Sequence, residues 1–489
     1  MLYSSTREQA GIAKALRALR SMLYWTQFFG IIKAQRMRLK PIRDIFYLSL
    51  SLVLASCATY QAKELNTQAM EQQNQTPTPA QLQIQAGQIK HPLLKVVQFD
   101  LSDGLSADEA AILAVLQNPE LRLARNRHGI ANAQLLQAGL LPNPRVAYNF
   151  SALSGGLDQG KVQGYGISLD WEFTALLTQS NRVSAADAEQ QAIDLQIAWQ
   201  EWQIAQAAKL ACYQLQVYAQ QQQLLAESLQ RLESNKLQVQ KAVDRGWATV
   251  LESTAAINAA DVLESRLQTV RQQTNLQQER LNRALGRKPG ESIPFQATIL
   301  PDELIVADYD QLTRDLGRQR LDLLALQQGY LAQEEQVRIA VLQQFPKISI
   351  GPTHSKNNSN YYTVGAGFSL SLPVFDQNQG AIALATATRQ TLFDEYSNRD
   401  FQSKADIAEL LTTIASVNSE IKTARDALSN LETLLKAYDI ANSQGQIDQL
   451  AYYTAWNNVI DKNVEISNLQ LHLIEARTAL ETATGRYAL

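Results

Sequence analysis

One pattern of elements occurs twice in this chain, about 200 residues apart. The glycines Gly246 and Gly445, which interrupt long helical tracts, are 199 positions apart, and so are Gly286 and Gly485, which end such tracts. Each half carries a helix, an alternating β-hairpin and two long helices. Internal repetition of this kind decides a fold before any single residue does. The sequence therefore predicts a mainly α protein with a small β part, built from two repeats of a β-hairpin and a long helical hairpin.

The clearest alternating segment is Val364–Phe375, in the second half. Apolar residues occupy every second position, and Gly or Ser fills most positions between them. Its counterpart, Tyr165–Phe173, alternates in the same way and places Asp170 and Glu172 on the polar side. Alternation alone is typical of a half-buried strand in a soluble sheet, whereas charges on one strand face and apolar residues on the other are typical of a water-filled membrane barrel. The residues that we expect to face lipid are Tyr165, Ile167, Leu169, Phe368, Leu370 and Leu372.

Two long tracts of helical periodicity follow each alternating segment. The first, about residues 179–244, contains neither proline nor glycine and would be on the order of 100 Å long as an α-helix. Its apolar residues, alternately three and four positions apart, form a heptad seam that predicts packing against another helix. The remaining faces are rich in glutamine, for example at 220–223. Such faces suit either the wall of a solvated channel or the exposed surface of a coiled coil.

The N-terminal part carries the pattern of an export signal. Basic residues in 37–43 precede an apolar run at 45–55, and small residues then lead directly to Cys57. This order is typical of a secretory signal, and the Leu-Ala-Ser-Cys motif that ends at Cys57 resembles the lipobox of bacterial lipoproteins. We expect Cys57 to be lipidated; the alternative is a plain signal peptide with an incidental cysteine. Because residues 1–36 are unusual for a signal, we expect Met37 to be the true start.

The segment after Cys57 is polar and rich in Gln, Thr and Pro as far as about residue 90. This composition predicts an extended tether between a lipid anchor and the folded part. The chain has only two cysteines, which excludes a disulfide framework. Cys212 lies among apolar neighbours in a helical tract, so we expect a buried structural thiol. Apart from the run near the start, no apolar stretch is long enough to span a bilayer as a helix.

Charge and residue types exclude several classes of function. The formal net charge is −3, which gives no electrostatic case for binding nucleic acid. The four histidines are scattered singly, and the chain has no phosphate-binding loop, no metal-ligand spacing and no nucleophile constellation. We therefore expect no catalytic activity, no cofactor, no bound metal and no nucleic-acid partner.

These patterns divide the chain into five parts. They are a signal and lipobox region (1–57), a flexible tether (58–104), a first repeat (105–286, with β-hairpin 145–173 and helical hairpin 179–286), a connector (287–319) and a second repeat (320–489, with β-hairpin 347–375 and helical hairpin 380–485). Four strands cannot close a barrel around water, and an open sheet edge is not tolerated in lipid. Several copies must therefore combine, and three copies would supply twelve strands, which is within the range of outer-membrane barrels.

Several local motifs stand at the ends of these elements. They are Asn118-Pro-Glu at a helix start, Ala138-Gly-Leu-Leu-Pro-Asn-Pro144 before the first strand, Leu370-Ser-Leu-Pro-Val-Phe-Asp376 before a long helix, the turns Arg245-Gly and Gln444-Gly, and the helix ending Leu285-Gly286. Over residues 105–485, this set resembles the TolC family of outer-membrane efflux proteins. The segment 372–382 is most similar to the heavy-metal (CzcC-type) branch of that family.

The resemblance implies a homotrimeric lipoprotein channel in the Gram-negative outer membrane. Its strands would form a 12-stranded barrel in contact with outer-membrane lipid, and its helices a tunnel that extends into the periplasm. The tunnel tip would meet a periplasmic adaptor (a membrane fusion protein) that is linked to an inner-membrane RND pump or ABC ATPase. The implied function is a passive exit duct of a tripartite efflux system. The alternatives are the channel of a type I protein secretion system and, less favoured because two helical hairpins are present, a periplasmic coiled-coil adaptor lipoprotein.

The resemblance also places the adaptor-binding end at the two turns between long helices. The expected tip residues are Arg245, Gly246, Trp247, Ala248, Gln444, Gly445, Gln446 and Ile447. The alternative is that they are turn residues only, although an exposed aromatic such as Trp247 favours a contact role. Asp244 and Asp448, beside the turns, could gate the aperture or set its charge selectivity; alternatively, they are solvated carboxylates at helix ends.

Overall fold

The structure is a computed structural model that describes residues 60–68, 70, 77–95, 102–156, 160–296, 298–444 and 449–487. The chain divides into two compact units, residues 1–73 and 74–489. The described residues of the first unit are all exposed. All elements named below belong to the second unit.

Among its described residues, the second unit has ten helices and four strands, and it is mainly helical with one small sheet, as the sequence predicts. The helices are α1 (Pro79–Gln88), α2 (Ala107–Gln117), α3 (Pro119–Gly139), α4 (Ala175–Asp244), α5 (Val250–Ala284), α6 (Tyr309–Thr313), α7 (Leu316–Gln319), α8 (Leu321–Leu342), α9 (Gln379–Ser443) and α10 (Gln449–Thr484). The strands are β1 (Arg145–Ser151), β2 (Gly164–Glu172), β3 (Ile348–Lys356) and β4 (Tyr362–Leu370).

Side-chain caps set the first helix boundaries. The Ser106 hydroxyl accepts the Glu109 amide at 3.2 Å, and the Glu109 carboxylate accepts the Ser106 amide at 2.9 Å. This reciprocal capping box satisfies two backbone donors that a helix start leaves free. Asn118 then ends α2 and caps α3, since its Oδ1 accepts the Glu120 amide at 2.8 Å and Pro119 follows at the first helical position. The predicted helix start at Asn118-Pro-Glu is confirmed.

The longest helix, α4, has 70 residues and begins at Ala175, four residues before the predicted start. At 1.5 Å per residue it is about 105 Å long. Helix propensity alone does not stabilise a helix of this length. Its stability comes from the packing of its apolar side chains against other helices. Seam residues such as Leu215, Leu225 and Leu232 are buried, the last two against Leu263 and Leu267 of α5.

The helices lie side by side in a layer that changes partners along its length. Towards the sheet, α3 packs on α4, while α8 packs on both α4 and α9. Towards the far end, α5 packs on α4, while α10 packs on both α4 and α9. The end of α10 meets the start of α8, because a Cβ atom at Gly485 would lie 3.0 Å from Cγ of Arg320. Thus α10 and α8 lie end to end between the two longest helices, α4 and α9.

The strands form one antiparallel sheet in the order β1-β2-β3-β4. The two hairpins pair through β2 and β3, with Ile167 opposite His354. The predicted strand 364–375 is wrong at its end, because β4 stops at Leu370. Pro373 has no amide proton to donate to a ladder, and the Val374 amide bonds locally to the Leu372 carbonyl at 2.9 Å.

Part of the expected flexible tether is packed instead. Residues 77–95, which we call the strap, contain α1 and lie against α2 and α4. Leu82 is 2% exposed, and the His91 ring bonds to the Ala198 carbonyl of α4 at 2.8 Å. The composition of the segment is polar, but its few apolar side chains find partners more than 20 residues away. In the described part of the chain, no helix carries an apolar stretch of the length needed to cross a bilayer.

Candidate functional site

The sheet has one apolar and one polar face, and the strand register determines which residues share each face. Residues directly opposite in an antiparallel pair lie on the same face. The register therefore joins Tyr165, Ile167 and Leu169 with Phe368 and Leu370. The other face carries mostly small and polar residues, among them Arg145, Asn149, Gly166, Ser168, Asp170, Glu172, Ser349, Gly351, Thr353, Gly365, Gly367 and Ser369.

The apolar face is uncovered by the described residues of this chain. Phe368 is 76% exposed, and Ile167, Leu169 and Leu370 are exposed as well. A continuous exposed apolar surface of this kind marks contact with another apolar phase or another protein. Leu372, which we expected on the same strand face, lies two residues beyond the end of β4. Its side chain is exposed, but the strand register does not assign it to either face.

A row of rings crosses all four strands on the apolar face. The ring centroids of Tyr148 and Tyr165 are 6.5 Å apart, those of Tyr165 and His354 are 5.9 Å apart, and those of His354 and Tyr362 are 6.3 Å apart. The Tyr165 hydroxyl also lies 3.3 Å from His354 Nε2. Amphipathic rings in one band are typical of a membrane–water boundary. Sequence reasoning missed this row because it depends on the register between strands that are about 200 residues apart.

Both edges of the molecule are open. On their outer sides, β1 and β4 pair with no strand in the described part of the chain. The outer helices of the layer, α3 and α9, carry exposed apolar side chains as well, among them Leu123 and Ile130 on α3 and Phe393 on α9. Next to Phe393, an apolar groove of about 340 Å³ is lined by Leu326 and Tyr396, among others.

The first predicted tip turn joins α4 to α5. Gly246 has φ +74° with open space around its Cα, so the left-handed backbone, rather than crowding, accounts for glycine here. The Trp247 and Ala248 amides both bond to the Ala242 carbonyl, at 2.8 and 3.3 Å. A capping box between Thr249 and Glu252 then starts α5.

The turn presents an exposed aromatic ring. Trp247 is 75% exposed, and the Arg245 guanidinium lies 5.1 Å from the ring centroid. Val250 and Leu251 of α5 and Leu450 of α10 are exposed as well. A groove of about 440 Å³ between α5 and α10 is lined by Leu251 and Leu450, among others. The tip therefore offers an apolar surface with one cation at its margin.

The second tip turn is only partly described. Gln444 closes the end of α9, where its amide bonds to the Ile440 and Ala441 carbonyls. Asp244 accepts a hydrogen bond from Gln240 of its own helix at 3.1 Å. The other expected residues of this turn, together with the expected lipidation site, lie outside the described residues: Gly445, Gln446, Ile447, Asp448 and Cys57.

An aromatic cluster that sequence reasoning missed ties α10 to both long helices. The Tyr452 hydroxyl donates to Asp439 of α9 at 3.0 Å, and the Tyr453 hydroxyl donates to Asn235 of α4. Burial raises the pKa of Tyr453 to about 12, so its hydroxyl keeps its proton. The guanidinium of Arg231 lies 5.9 Å from the ring centroid of Trp456. These contacts fix α10 near the tip. The positions of the aromatic residues along the sequence do not reveal the contacts, because their partners lie on other helices.

Cys212 is fully buried among apolar residues of the core around α2 and α4. Burial raises the pKa of its thiol to about 12, so the nucleophilic thiolate is suppressed. The prediction of a buried structural thiol is confirmed. In the described ranges, no three His, Cys, Asp or Glu side chains come close enough together to hold a metal ion.

Comparisons with known proteins agree with this geometry. Residues 312–486 match the model of the family described as outer membrane efflux protein. The fold matches crystal structures of CusC (17% identity, 81% of this chain and 98% of that chain, TM-score 0.66) and of the outer membrane protein VceC from Vibrio cholerae (19% identity, 78% and 97%, TM-score 0.64). It also matches the CmeC outer membrane channel of Campylobacter jejuni (13% identity, 88% and 94%, TM-score 0.64). No curated protein sequence matches the chain significantly.

Proposed function

We propose that this chain is one subunit of a TolC-family outer-membrane efflux channel. Three copies would form a passive exit duct that receives its cargo from an inner-membrane pump through a periplasmic adaptor. The match of residues 312–486 to the outer membrane efflux family supports this function, and the solved channels of the same fold support the architecture.

The observation that carries the proposal is the pair of open edges on a sheet with an exposed apolar face. In lipid, unpaired strand edges cost several kilocalories per mole for each unsatisfied backbone group. Pairing β4 of one copy with β1 of the next satisfies both edges. Such a contact joins two different surfaces, so it repeats around a ring until the ring closes. Three copies would give a twelve-stranded barrel with the Phe368 face towards lipid and the glycine- and serine-rich face towards water.

The helical layer supports the same assembly. Its outer helices α3 and α9 belong to the same two edges as β1 and β4. The apolar groove beside Phe393 is open on α9, and Leu123 and Ile130 of α3, seven residues apart and therefore on one helix face, are exposed. We expect α3 of one copy to pack on α9 of its neighbour. At the level of α8, three copies would place twelve helices in one ring.

The tip is the proposed adaptor-binding end. Trp247, Val250, Leu251 and Leu450 form an exposed apolar surface, and such surfaces mark sites of protein association. Arg245, Gly246, Ala248 and the second turn (444–447) complete the proposed surface, and Asp244 and Asp448 are the candidate aperture residues. Lipidation of Cys57 would anchor the chain in the outer membrane.

The cargo and pump class are narrower proposals. Residues 372–382 favour the heavy-metal (CzcC-type) branch and therefore an RND pump. A channel of a type I secretion system with an ABC ATPase would have the same architecture, and the pump would distinguish the two.

The decisive experiment measures whether the protein can be extracted from membranes without detergent. It compares the full chain with Cys57→Ala, and Cys212→Ala is the matched cysteine control. The proposal expects all three to fractionate with the outer membrane and to require detergent, because the barrel holds the chain there without the lipid. A heat-modifiable trimer on gels is also expected. Release of Cys57→Ala as a water-soluble protein would contradict the proposal and favour a periplasmic adaptor lipoprotein.

A further inference from the structure

A groove of about 600 Å³ lies between α4 and α9, with α10 as its floor. It is located where α10 ends and α8 begins, about midway along the helical layer. Its lining combines apolar side chains with three carboxylates, two glutamines and two arginines. The residues that matter here are Trp199, Gln206, Asp406, Glu409 and Glu475.

The groove opens on the side of α10 opposite to the connector. Leu473 and Leu480 of α10 lie in one hydrophobic cluster with connector residues such as Leu304 and Leu312. Glu475 and Thr482 of the same helix line the groove. At about 100° per residue, the two sets lie roughly half a turn apart on the helix. In the proposed ring we place the three connectors outside, so that the groove side lines the lumen; this placement rests on the proposed function.

The carboxylates of the groove lack cationic partners. Both arginines that line it already contact Asp322, Arg320 at 2.6 Å and Arg399 at 3.4 Å. Among the described residues, no Lys or Arg forms an ion pair with Asp406, Glu409 or Glu475. Glu475 accepts one hydrogen bond, from Gln214 at 3.0 Å, although a carboxylate can accept about four. The lining thus contains two arginines paired with Asp322 and three carboxylates without an ion pair among the described residues.

A buried amide in the lining also lacks a partner. Gln206 is 4% exposed, and its Oε1 has no hydrogen-bond partner. A buried acceptor without a donor is costly, and most native structures avoid it. The Gln206 oxygen and the carboxylates can therefore all accept further hydrogen bonds from a ligand that carries a donor. Beside it, the Trp199 ring and the side chains of Leu210 and Leu410 provide an apolar surface.

We propose that this groove binds organic cations, with the ammonium or iminium group of the ligand at Glu409 and Glu475 and its apolar body on Trp199, Leu210 and Leu410. A donor on the ligand would satisfy Gln206. A bare metal ion does not fit, because the described carboxylates are not grouped closely enough to coordinate one. The groove would be a cation-selective binding site on the exit path.

The test measures binding to the purified full-length chain in detergent. The probes are rhodamine 6G, a cationic dye, and fluorescein, an anionic dye of similar size, and dye in empty micelles gives the blank. We expect saturable binding of rhodamine 6G, and none of fluorescein, by fluorescence anisotropy. The double variant Glu409→Gln/Glu475→Gln should weaken rhodamine binding by roughly tenfold or more, because charge-assisted contacts are the strong ones.

The matched control is Glu420→Gln/Glu432→Gln, which removes the same charge from α9 outside the groove. It should bind rhodamine as the unmodified chain does, and Gln206→Leu should bind more weakly than the control. Equal rhodamine affinity in the groove variant and the control, or equal binding of both dyes, would overturn the proposal. If trimers form and efflux proceeds without this binding, only the groove assignment fails. If the dye binds at the groove but the chain is released as a soluble protein, the channel proposal fails instead.

Discussion

Asn118 and Arg320 make the same hydrogen bond in the two repeats. Asn118 Nδ2 donates to the Ala284 carbonyl at 2.9 Å, and Arg320 Nη1 donates to the Ala483 carbonyl at 2.8 Å. The two alanines are 199 residues apart, and each lies at the end of the returning helix of a helical hairpin. Each bond satisfies a carbonyl that a helix end leaves free. It also joins that helix end to the start of the helix that continues its course.

The second junction depends on a buried charge, so it should be sensitive to Arg320. Its guanidinium also binds Asp322 through two hydrogen bonds, at 2.9 and 2.6 Å. Arg320→Ala would leave the buried Asp322 carboxylate with Arg399 at 3.4 Å and the Leu323 amide at 3.0 Å. We expect a loss of about 3–5 kcal/mol, because removing one partner of a buried ion pair is costly. The measurement is the thermal unfolding midpoint of the purified protein.

The control for this prediction is Arg425→Ala. Arg425 pairs with the exposed Asp302 at 2.7 Å, and an exposed pair contributes about 0–1 kcal/mol. Equal midpoints for the two variants would show that the Arg320 junction is not a stabilising contact.

The first junction should depend on the absence of a side chain at Gly286. This residue has φ +64°, and a Cβ atom there would lie 2.6 Å from the Gln117 carbonyl oxygen. Gly286→Ala combines backbone strain of about 1–2 kcal/mol with a clash against backbone. Gly290 has φ +79° but nothing within 4 Å of a Cβ position, so Gly290→Ala carries the strain alone. We expect Gly286→Ala to unfold at a clearly lower temperature, and the clash is refuted if the two variants coincide.

The proposed adaptor contact predicts a loss of transport without a loss of assembly. Trp247→Asp places a charge in the exposed apolar surface at the tip, and Gly445→Pro restricts the second turn. Both variants should abolish efflux in cells while trimers remain in the outer membrane. Ile299→Asp is the control, because Ile299 is exposed on the connector, far along the chain from either turn. Normal efflux in both tip variants would mean that the adaptor binds elsewhere.

The attachment of the strap should depend on pH through His91. Its Nε2–H donates to the Ala198 carbonyl at 2.8 Å, and its Nδ1 accepts the Leu93 and Leu94 amides at 3.0 and 3.1 Å. Only the neutral ring makes all three bonds, because a proton on Nδ1 would face two N–H groups. Burial lowers the pKa of His91 below 6.5, although the Ala198 bond and nearby Glu201 oppose this shift. The stabilisation is therefore complete above the ordinary pKa and is lost as the pH falls through the lowered value.

The measurement is hydrogen exchange of residues 79–95 between about pH 7.5 and pH 5, corrected for the intrinsic pH dependence of exchange. Protection should fall on acidification in the unmodified chain. His91→Gln supplies one acceptor and one donor without titrating, so its protection should stay constant. Glu201 lies 3.8 Å from His91 Nε2 and pairs with Arg125 at 2.6 Å, and Glu201→Gln tests whether that carboxylate titrates instead. The same loss of protection in His91→Gln would rule out His91 as the responsive group.

The sequence by itself determined the parts of this protein that depend on neighbouring residues. The helix start at Asn118 and the glycine at 286 mark element ends because their chemistry acts within one turn of backbone. The 199-residue offset determined that the pattern occurs twice. Alternation in β2 and β4 determined that the strands have two unlike faces.

Only the tertiary structure decided what depends on contacts between distant residues. The ring row from Tyr148 to Tyr362 requires the register of four strands, and the ties of Tyr452 and Tyr453 require α10 to lie between α4 and α9. The strap is packed although its composition is that of a linker, because Leu82 and His91 find partners on α2 and α4. Local periodicity specifies on which face of a helix or strand a side chain lies. Which other side chain it contacts is determined by how the helices and strands pack together.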